Sequence, residues 1–419
     1  MFPRRIIFAA ISISIAASFL LCGYEFIRAV SNSLFVESYG AENLSRAMVA
    51  VPPGLVLLLY VYGILLSRLG ATRTLVITSL LSGALIFGCY IALSRGVHFA
   101  SAIIYVFREA YIVIIIEQFW SFVNSTLTSA QAKRINGPFC AVASVGSVVG
   151  GLLVARWAEP LGTQTLLLFT AGSLIPSTIF SAIAYRLAGE PKPTLEEAGG
   201  LRGHLGARTL FSSRYLVFIA LLILSTQVVS TVFDLRFNGL VESEMPDVDA
   251  RTAFYGSFSA VLNSCAAVLQ LIVVPLALRF ISVRAIHLSI PTVHLLSGLA
   301  LTLRPSLRTG ALAYLLFKAF DYSLFRAAKE LFYMPLSYDE RYRAKQLIDS
   351  FGYRSAKGGS AGIIELVRLG VKTVPGAAFS ITAMVMAGLW ASIVANLTTQ
   401  YQQLEKSAKK LDILSKFTV

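Results

Sequence analysis

Between Phe317 and Gly362 the sequence reads FKAFDYSLFRAAKELFYMPLSYDERYRAKQLIDSFGYRSAKGGSAG. Lys318, Asp321, Arg326, Lys329, Glu330, Asp349, Arg354 and Lys357 fall in and around apolar runs that have the character of membrane-spanning helix. A charge at bilayer depth costs about 3 kcal/mol on insertion scales, so it persists where it meets a partner or lines a polar cavity. Phosphate and carboxylate groups need positive charge and N–H donors to replace lost water. Arginine supplies these bidentately, lysine as a point charge. Arg28, Arg108, Lys318, Arg326, Lys329 and Lys357 are the cations so placed, with Asn124, Tyr322 and Tyr333 as polar or aromatic neighbours. That set points to a pathway for an anionic solute.

The carboxylates of the same apolar runs are Glu25, Glu109, Glu117, Asp234, Asp321 and Glu330. A buried carboxylate with a raised pKa can carry a proton and couple solute movement to a proton gradient. One that is paired with Arg or Lys stays ionised and locks two helices. Local spacing offers partners for several of them: Glu25 with Arg28, Arg108 with Glu109, Asp234 with Arg236, Lys318 with Asp321, Arg326 with Glu330, and Lys329 beside Glu330. Phe119, Trp120, Phe122, Tyr322, Phe325 and Tyr333 supply flat faces near the charges, for stacking or for helix packing. His287 and His294 lie seven apart with no third ligand, which argues against a metal site and for core or pore-lining roles.

The elements that hold these residues are helices in a membrane. Hydrophobic residues make up 56% and charged residues 14% of the 419, and mean hydropathy is +0.71, which excludes an ordinary soluble chain. The apolar runs are near the ~20 residues that a helix needs to cross the hydrocarbon core, and none shows the strict alternation of a barrel strand. The expectation is an all-α membrane protein with twelve transmembrane helices, near 6–36, 47–66, 74–94, 101–128, 137–155, 164–186, 214–236, 253–278, 285–303, 309–334, 350–371 and 376–398. The eleventh is weakened by Lys357, Glu365 and Arg368. The basic N-terminal segment could imitate a signal peptide, but its apolar run continues to Leu34 and reads as a retained first helix.

The linker 188–213, rich in Pro, Gly and charge, separates an N-terminal six-helix bundle over 1–187 from a C-terminal one over 214–398, with a tail over 399–419. Two six-helix bundles so joined are the layout of the major facilitator type, with the solute site between the halves. Arg4, Arg5, Arg68, Arg73, Lys133, Arg134, Arg279, Arg284, Arg341, Arg343, Lys345, Lys406, Lys409 and Lys410 fall on one side of this threading. By the positive-inside rule that side is the cytoplasm, with both termini cytoplasmic and the chain in the bacterial inner membrane. The net charge of +14 is therefore read as topology and lipid contact and not as nucleic-acid binding. Cys22, Cys89, Cys140 and Cys265 lie in apolar runs, without C-x-x-C or metal spacing. No phosphate loop, nucleophile elbow or H-E-x-x-H motif occurs, so neither an enzyme nor a cofactor is expected.

Several stretches resemble the bacterial and plastidic nucleotide transporter family, the ATP/ADP translocases. They are Tyr322-Ser-Leu-Phe325 with Lys329-Glu330, Tyr333 and Pro335-Leu336; Lys345, Ile348-Asp349, Gly352, Arg354 and Lys357-Gly358; Phe119-Trp120, Phe122 and Asn124 before Ala132-Lys133-Arg134; Gly256, Phe258, Asn263 and Gln270; and Tyr24 through Arg28 to Val36. The resemblance implies a membrane carrier that exchanges nucleotides. Three positions after Arg28 the family has a lysine and then an aspartate, where this chain has Ser31 and Asn32. Asp321 and Arg326 also reverse the family's order of charge around Tyr322-Ser-Leu-Phe325, which redistributes positive charge in the cavity.

The sequence thus points to a monomeric carrier of an anionic, nucleotide-like or phosphorylated small molecule, held by Arg28, Lys329 and Lys357, with Glu109, Asp321 and Glu330 as balancing charges. A proton-coupled carrier of another solute (organic acid, peptide-like compound or siderophore) and a non-transporting lipid-handling or scaffold protein remain alternatives.

Overall fold

The computed structural model describes residues 4–126, 129–189, 213–336, 347–371 and 374–417, with some side chains between 110 and 140, near 350 and beyond 404 outside the description. The described residues fold as helices and short turns. This is what a low-water environment demands, because a helix satisfies its own N–H and C=O groups. In chain order the elements are α1 Arg4–Tyr39, α2 Leu44–Ser94, α3 Phe99–Thr126, α4 Ser129–Leu161, α5 Leu166–Ala188, α6 Arg214–Glu244, α7 Val248–Phe280 and α8 Val283–Leu303. Then come α9, Leu307–Phe320 continued by Asp321–Phe325 and Arg326–Tyr333; α10, Leu347–Gly352 running into Tyr353–Gly370; and α11, Gly376–Phe417. Among the described residues, eight helices are long and apolar enough to cross a membrane. The chain is a multi-pass membrane protein.

Several boundaries differ from the sequence expectation. α2 comprises two helices that meet at Gly70, whose φ of 76° and ψ of 175° lie outside helical space, within the connection expected between the second and third helices. Glycine alone takes that conformation cheaply, and Arg68 and Arg73 flank the break. The last helix continues past 398 to Phe417. The weakened eleventh helix forms, because Arg368 Nη1 meets Glu365 Oε1 at 3.0 Å one turn back and Lys357 finds a partner elsewhere. Three segments are wound as π-helix: Leu269–Val273 within α7, Asp321–Phe325 within α9, and Leu347–Gly352 at the start of α10.

The chain divides into two compact units, the first comprising Met1–Leu201 with Val241–Ser264 and the second Arg202–Leu240 with Cys265–Val419. In the first, α1 packs against α3, α4 and α5. A Cβ at Gly146 or Gly150 would run into the backbone of Ser18 or Cys22, so α4 lies directly on α1. On its other side Gly151 meets the backbone of Gly256 and Ala260 in α7. Small residues make such seams because a membrane offers no hydrophobic drive to bring helices together, and close van der Waals approach must do so. Leu57, Tyr60 and Leu80 of α2 are 63%, 68% and 66% exposed, as a lipid-facing surface requires.

In the second unit α8 packs against α9 and α11, and the π-wound segments of α7 and α9 touch. Its core is aromatic. His294 sits among Phe233, Phe317, Phe320 and Trp390, and His287 stacks on Phe332 with ring centroids 4.2 Å apart. Both histidines are buried packing residues, and no group of three metal-ligating side chains occurs among the described residues. Cys22, Cys89 and Cys265 are free thiols; Cys140 lies outside the described side chains.

Candidate functional site

In the first unit the charged residues gather where α1 faces α3 and α7. Glu25 and Arg28 are three apart on α1 and pair at 3.6 Å, as their spacing predicts. Glu25 is 3% exposed and its Oε1 accepts from Asn263 Nδ2 at 2.9 Å, which ties α1 to α7. Arg108 of α3 is 4% exposed. Its Nη1 donates to the Arg28 carbonyl oxygen at 2.8 Å and to Ser31 Oγ at 2.7 Å, its Nε faces Glu109 Oε1 at 3.5 Å, and its guanidinium lies 4.2 Å from the Tyr105 ring centroid. The guanidinium therefore reaches position 31 from a different helix. Two cations and two carboxylates share this region, so its formal charge is balanced. The side chains of Glu117 and Asn124 lie outside the described residues.

In the second unit, two cations find carboxylates that their own helix does not supply. Lys329 Nζ donates to Asp349 Oδ1 at 2.6 Å, while its sequence neighbour Glu330 stands at 4.0 Å. Tyr333 donates its hydroxyl to the same Asp349 oxygen at 3.3 Å, and Lys329 lies over the rings of Tyr333 and Tyr353. Lys357 of α10 meets Asp234 of α6 at 3.4 Å, and Asn238 donates to the other Asp234 oxygen at 2.8 Å. Asp234 is thus held by Lys357 and not by Arg236, because residues two apart on a helix point away from one another.

Two further expected local pairs do not form. Lys318 Nζ donates across to Ser230 Oγ of α6 at 3.2 Å, in place of Asp321, and sits 5.6, 5.7 and 5.7 Å from the ring centroids of Tyr314, Phe317 and Tyr322. Arg326 lies 6.0 Å from the Tyr322 ring in place of Glu330. Between these cations the helix is π-wound over Asp321–Phe325, whereas Arg326 and Glu330 both lie on the α-wound segment that follows. Asp349, at 23% side-chain exposure, was absent from the expected site residues, as were Ser230 and Asn263. The nearby motif Ile348-Asp349 marked the segment, but nothing local joined Asp349 to Lys329 twenty residues earlier.

The family described as TLC ATP/ADP transporter matches residues 302–401, which span the end of α8 through much of α11. The ADP,ATP carrier protein 1 of Rickettsia bellii is 25% identical over 339 residues, 70% of this chain and 67% of that protein. The carrier of the same name from Chlamydia muridarum is 24% identical over 352 residues, 74% of this chain and 65% of that protein. This chain is similar to the ATP/ADP transporters. The relatives are named as carriers, not enzymes. Two solved structures share the fold: the nucleoside transporter NupG, at TM-score 0.67 and 13% identity over 94% of this chain and 99% of that one, and a bacterial homologue of the iron transporter ferroportin, at TM-score 0.69 and 13% identity over 95% and 99%. The fold of this chain is the one seen in these two solved transporters.

Proposed function

We propose that this chain is a carrier of the bacterial inner membrane that exchanges an anionic, nucleotide-like metabolite by alternating access. The observation that carries this reading is the similarity to ADP,ATP carriers over 70% of the chain. Arg28, Lys329 and Lys357 are the proposed anion contacts, with Lys318, Arg326, Tyr322, Tyr333 and Asn124 beside them. Glu25, Glu109, Glu117, Asp234, Asp321 and Glu330 are the proposed balancing charges. Each carboxylate that now faces a cation is a resident counter-ion. An anionic solute can replace it, and the released carboxylate can then take another partner in the opposite state.

The proposed arrangement is twelve spans in two six-helix bundles, 1–187 and 214–398, joined by the linker 188–213. Both termini lie in the cytoplasm, and the chain works as a monomer. Proteoliposomes loaded with ADP should take up labelled external ATP, and uptake should persist when a protonophore collapses the proton gradient. Uptake that needs no internal nucleotide and stops with the protonophore would instead establish proton coupling.

A further inference from the structure

Lys318, Arg326, Lys329, Lys357 and Arg368 of α9 and α10 fall into two electrical groups. Lys329 is neutralised by Asp349 at 2.6 Å, Lys357 by Asp234 at 3.4 Å and Arg368 by Glu365 at 3.0 Å. Lys318 and Arg326 have no carboxylate within salt-bridge distance among the described residues; the contacts of Lys318 are a neutral hydroxyl and aromatic rings, and Arg326 lies beside one of the same rings. Both approach the ring of Tyr322, with Lys318 Nζ at 5.7 Å and Arg326 Cζ at 6.0 Å from its centroid. An aromatic face attracts a cation through its quadrupole but carries no net charge, so it cannot neutralise one. Asp321, next to Tyr322, leaves this turn with two cations against one carboxylate.

An anion that approaches Lys329 or Lys357 must first displace a resident carboxylate, and it gains only the difference between the two interactions. At Lys318 and Arg326 it gains the whole interaction. These residues are placed four before and four after Tyr322, on a helix whose winding loosens to π at Asp321–Phe325, and such irregular turns recur at functional sites. We propose that Lys318 and Arg326, on either side of Tyr322, form the primary attachment site for a phosphate-type anion, and that the Lys329–Asp349 and Lys357–Asp234 pairs exchange partners only after the anion has arrived. This rests on the transport reading above for the source of the anion. The same chemistry would also serve a phospholipid headgroup.

The test is thermal unfolding of the full chain, purified in detergent, against three probes: ADP, inorganic pyrophosphate, and micelles doped with phosphatidylglycerol. The variants are Lys318→Gln, Arg326→Gln and Lys318→Arg, with Arg308→Gln as a control that removes an exposed charge from the same helix. ADP and pyrophosphate should raise the melting temperature of the parent. The concentration needed should rise on the order of tenfold in either Gln variant, as loss of one charge-assisted contact predicts. Lys318→Arg should keep most of the response and Arg308→Gln all of it. Should Lys318→Gln fail to fold, Arg326→Gln and Lys318→Arg carry the comparison, since Arg326 is exposed. Equal responses in the parent and both Gln variants overturn the site. Stabilisation by phosphatidylglycerol alone, lost in the Gln variants, keeps the phosphate site and rejects the nucleotide reading. A parent that responds to no probe overturns both.

Discussion

Asp234 shows how a single carboxylate can hold two helices. It accepts from Asn238 on its own helix and faces Lys357 on another, and it is 7% exposed. Removal of one partner leaves the other charge in a poorly hydrated place, so either single change should cost more than the pair contributes. A double-mutant cycle over Asp234→Asn and Lys357→Met should return a coupling energy of about 1 kcal/mol by thermal unfolding in detergent. Additive effects would mean that the contact contributes nothing. Arg251 makes a denser set of bonds. It is 2% exposed; its Nε donates to the Met245 carbonyl at 3.0 Å, its Nη2 to Pro246 at 2.8 Å, and its Nη1 to Ser33 at 3.3 Å with Glu37 at 3.5 Å. Arg251→Met should destabilise the protein by roughly 3 kcal/mol, because several buried carbonyls lose their donor at once.

Helix-to-helix contact depends on backbone approach where glycine faces glycine or backbone. A side chain at Gly150 would collide with Cys22, whereas one at Gly63 meets nothing within 4 Å. Gly150→Leu should therefore abolish the monodisperse peak in size-exclusion chromatography, and Gly63→Leu should leave it intact. Winding matters as much as packing. The π-wound Asp321–Phe325 segment turns through a smaller angle per residue than an α-helix. Insertion of one alanine after Ala319, in the α-wound part, should rotate Lys318 relative to Arg326 by about 100°. The helix content by circular dichroism should persist while ADP stabilisation is lost. Retained stabilisation would show that the response does not depend on the angle between Lys318 and Arg326.

For the molecule as a whole, the segment Val241–Ser264 is tied to the first unit by bonds that sequence reasoning did not foresee. Glu242 accepts from the Ala41 amide at 3.1 Å, Asp249 from the Thr163 amide at 2.7 Å, and the hydroxyls of Thr163 and Thr252 lie 2.9 Å apart. The carboxylates of the acidic turn Glu242 to Asp249 therefore accept from backbone amides as well as carrying charge. A Thr163→Cys/Thr252→Cys pair should form a disulfide readily at this separation. If transport requires this segment to leave its seat, oxidation should stop nucleotide exchange in proteoliposomes and reduction should restore it. Undiminished exchange by the oxidised protein would show that the seat stays closed throughout the cycle.

Composition determined that this chain lives in a membrane, and the absence of strict alternation that it does so as helices and not as a closed barrel. Spacing along one helix identified the pairs Glu25–Arg28 and Arg108–Glu109, because neighbours one turn or one residue apart need no knowledge of the fold. The sequence also singled out the ionisable residues of the apolar runs, since rare charges there are conspicuous. It could not say which charge answers which. Lys357 with Asp234, Lys329 with Asp349, Asn263 with Glu25 and Lys318 with Ser230 are contacts between separate segments. Only the packing of helices, fixed by small-residue seams and local departures from α-winding, brings those groups within bonding distance. Tertiary structure therefore decided, among the described residues, which of these cations face a carboxylate and which meet a hydroxyl or an aromatic ring.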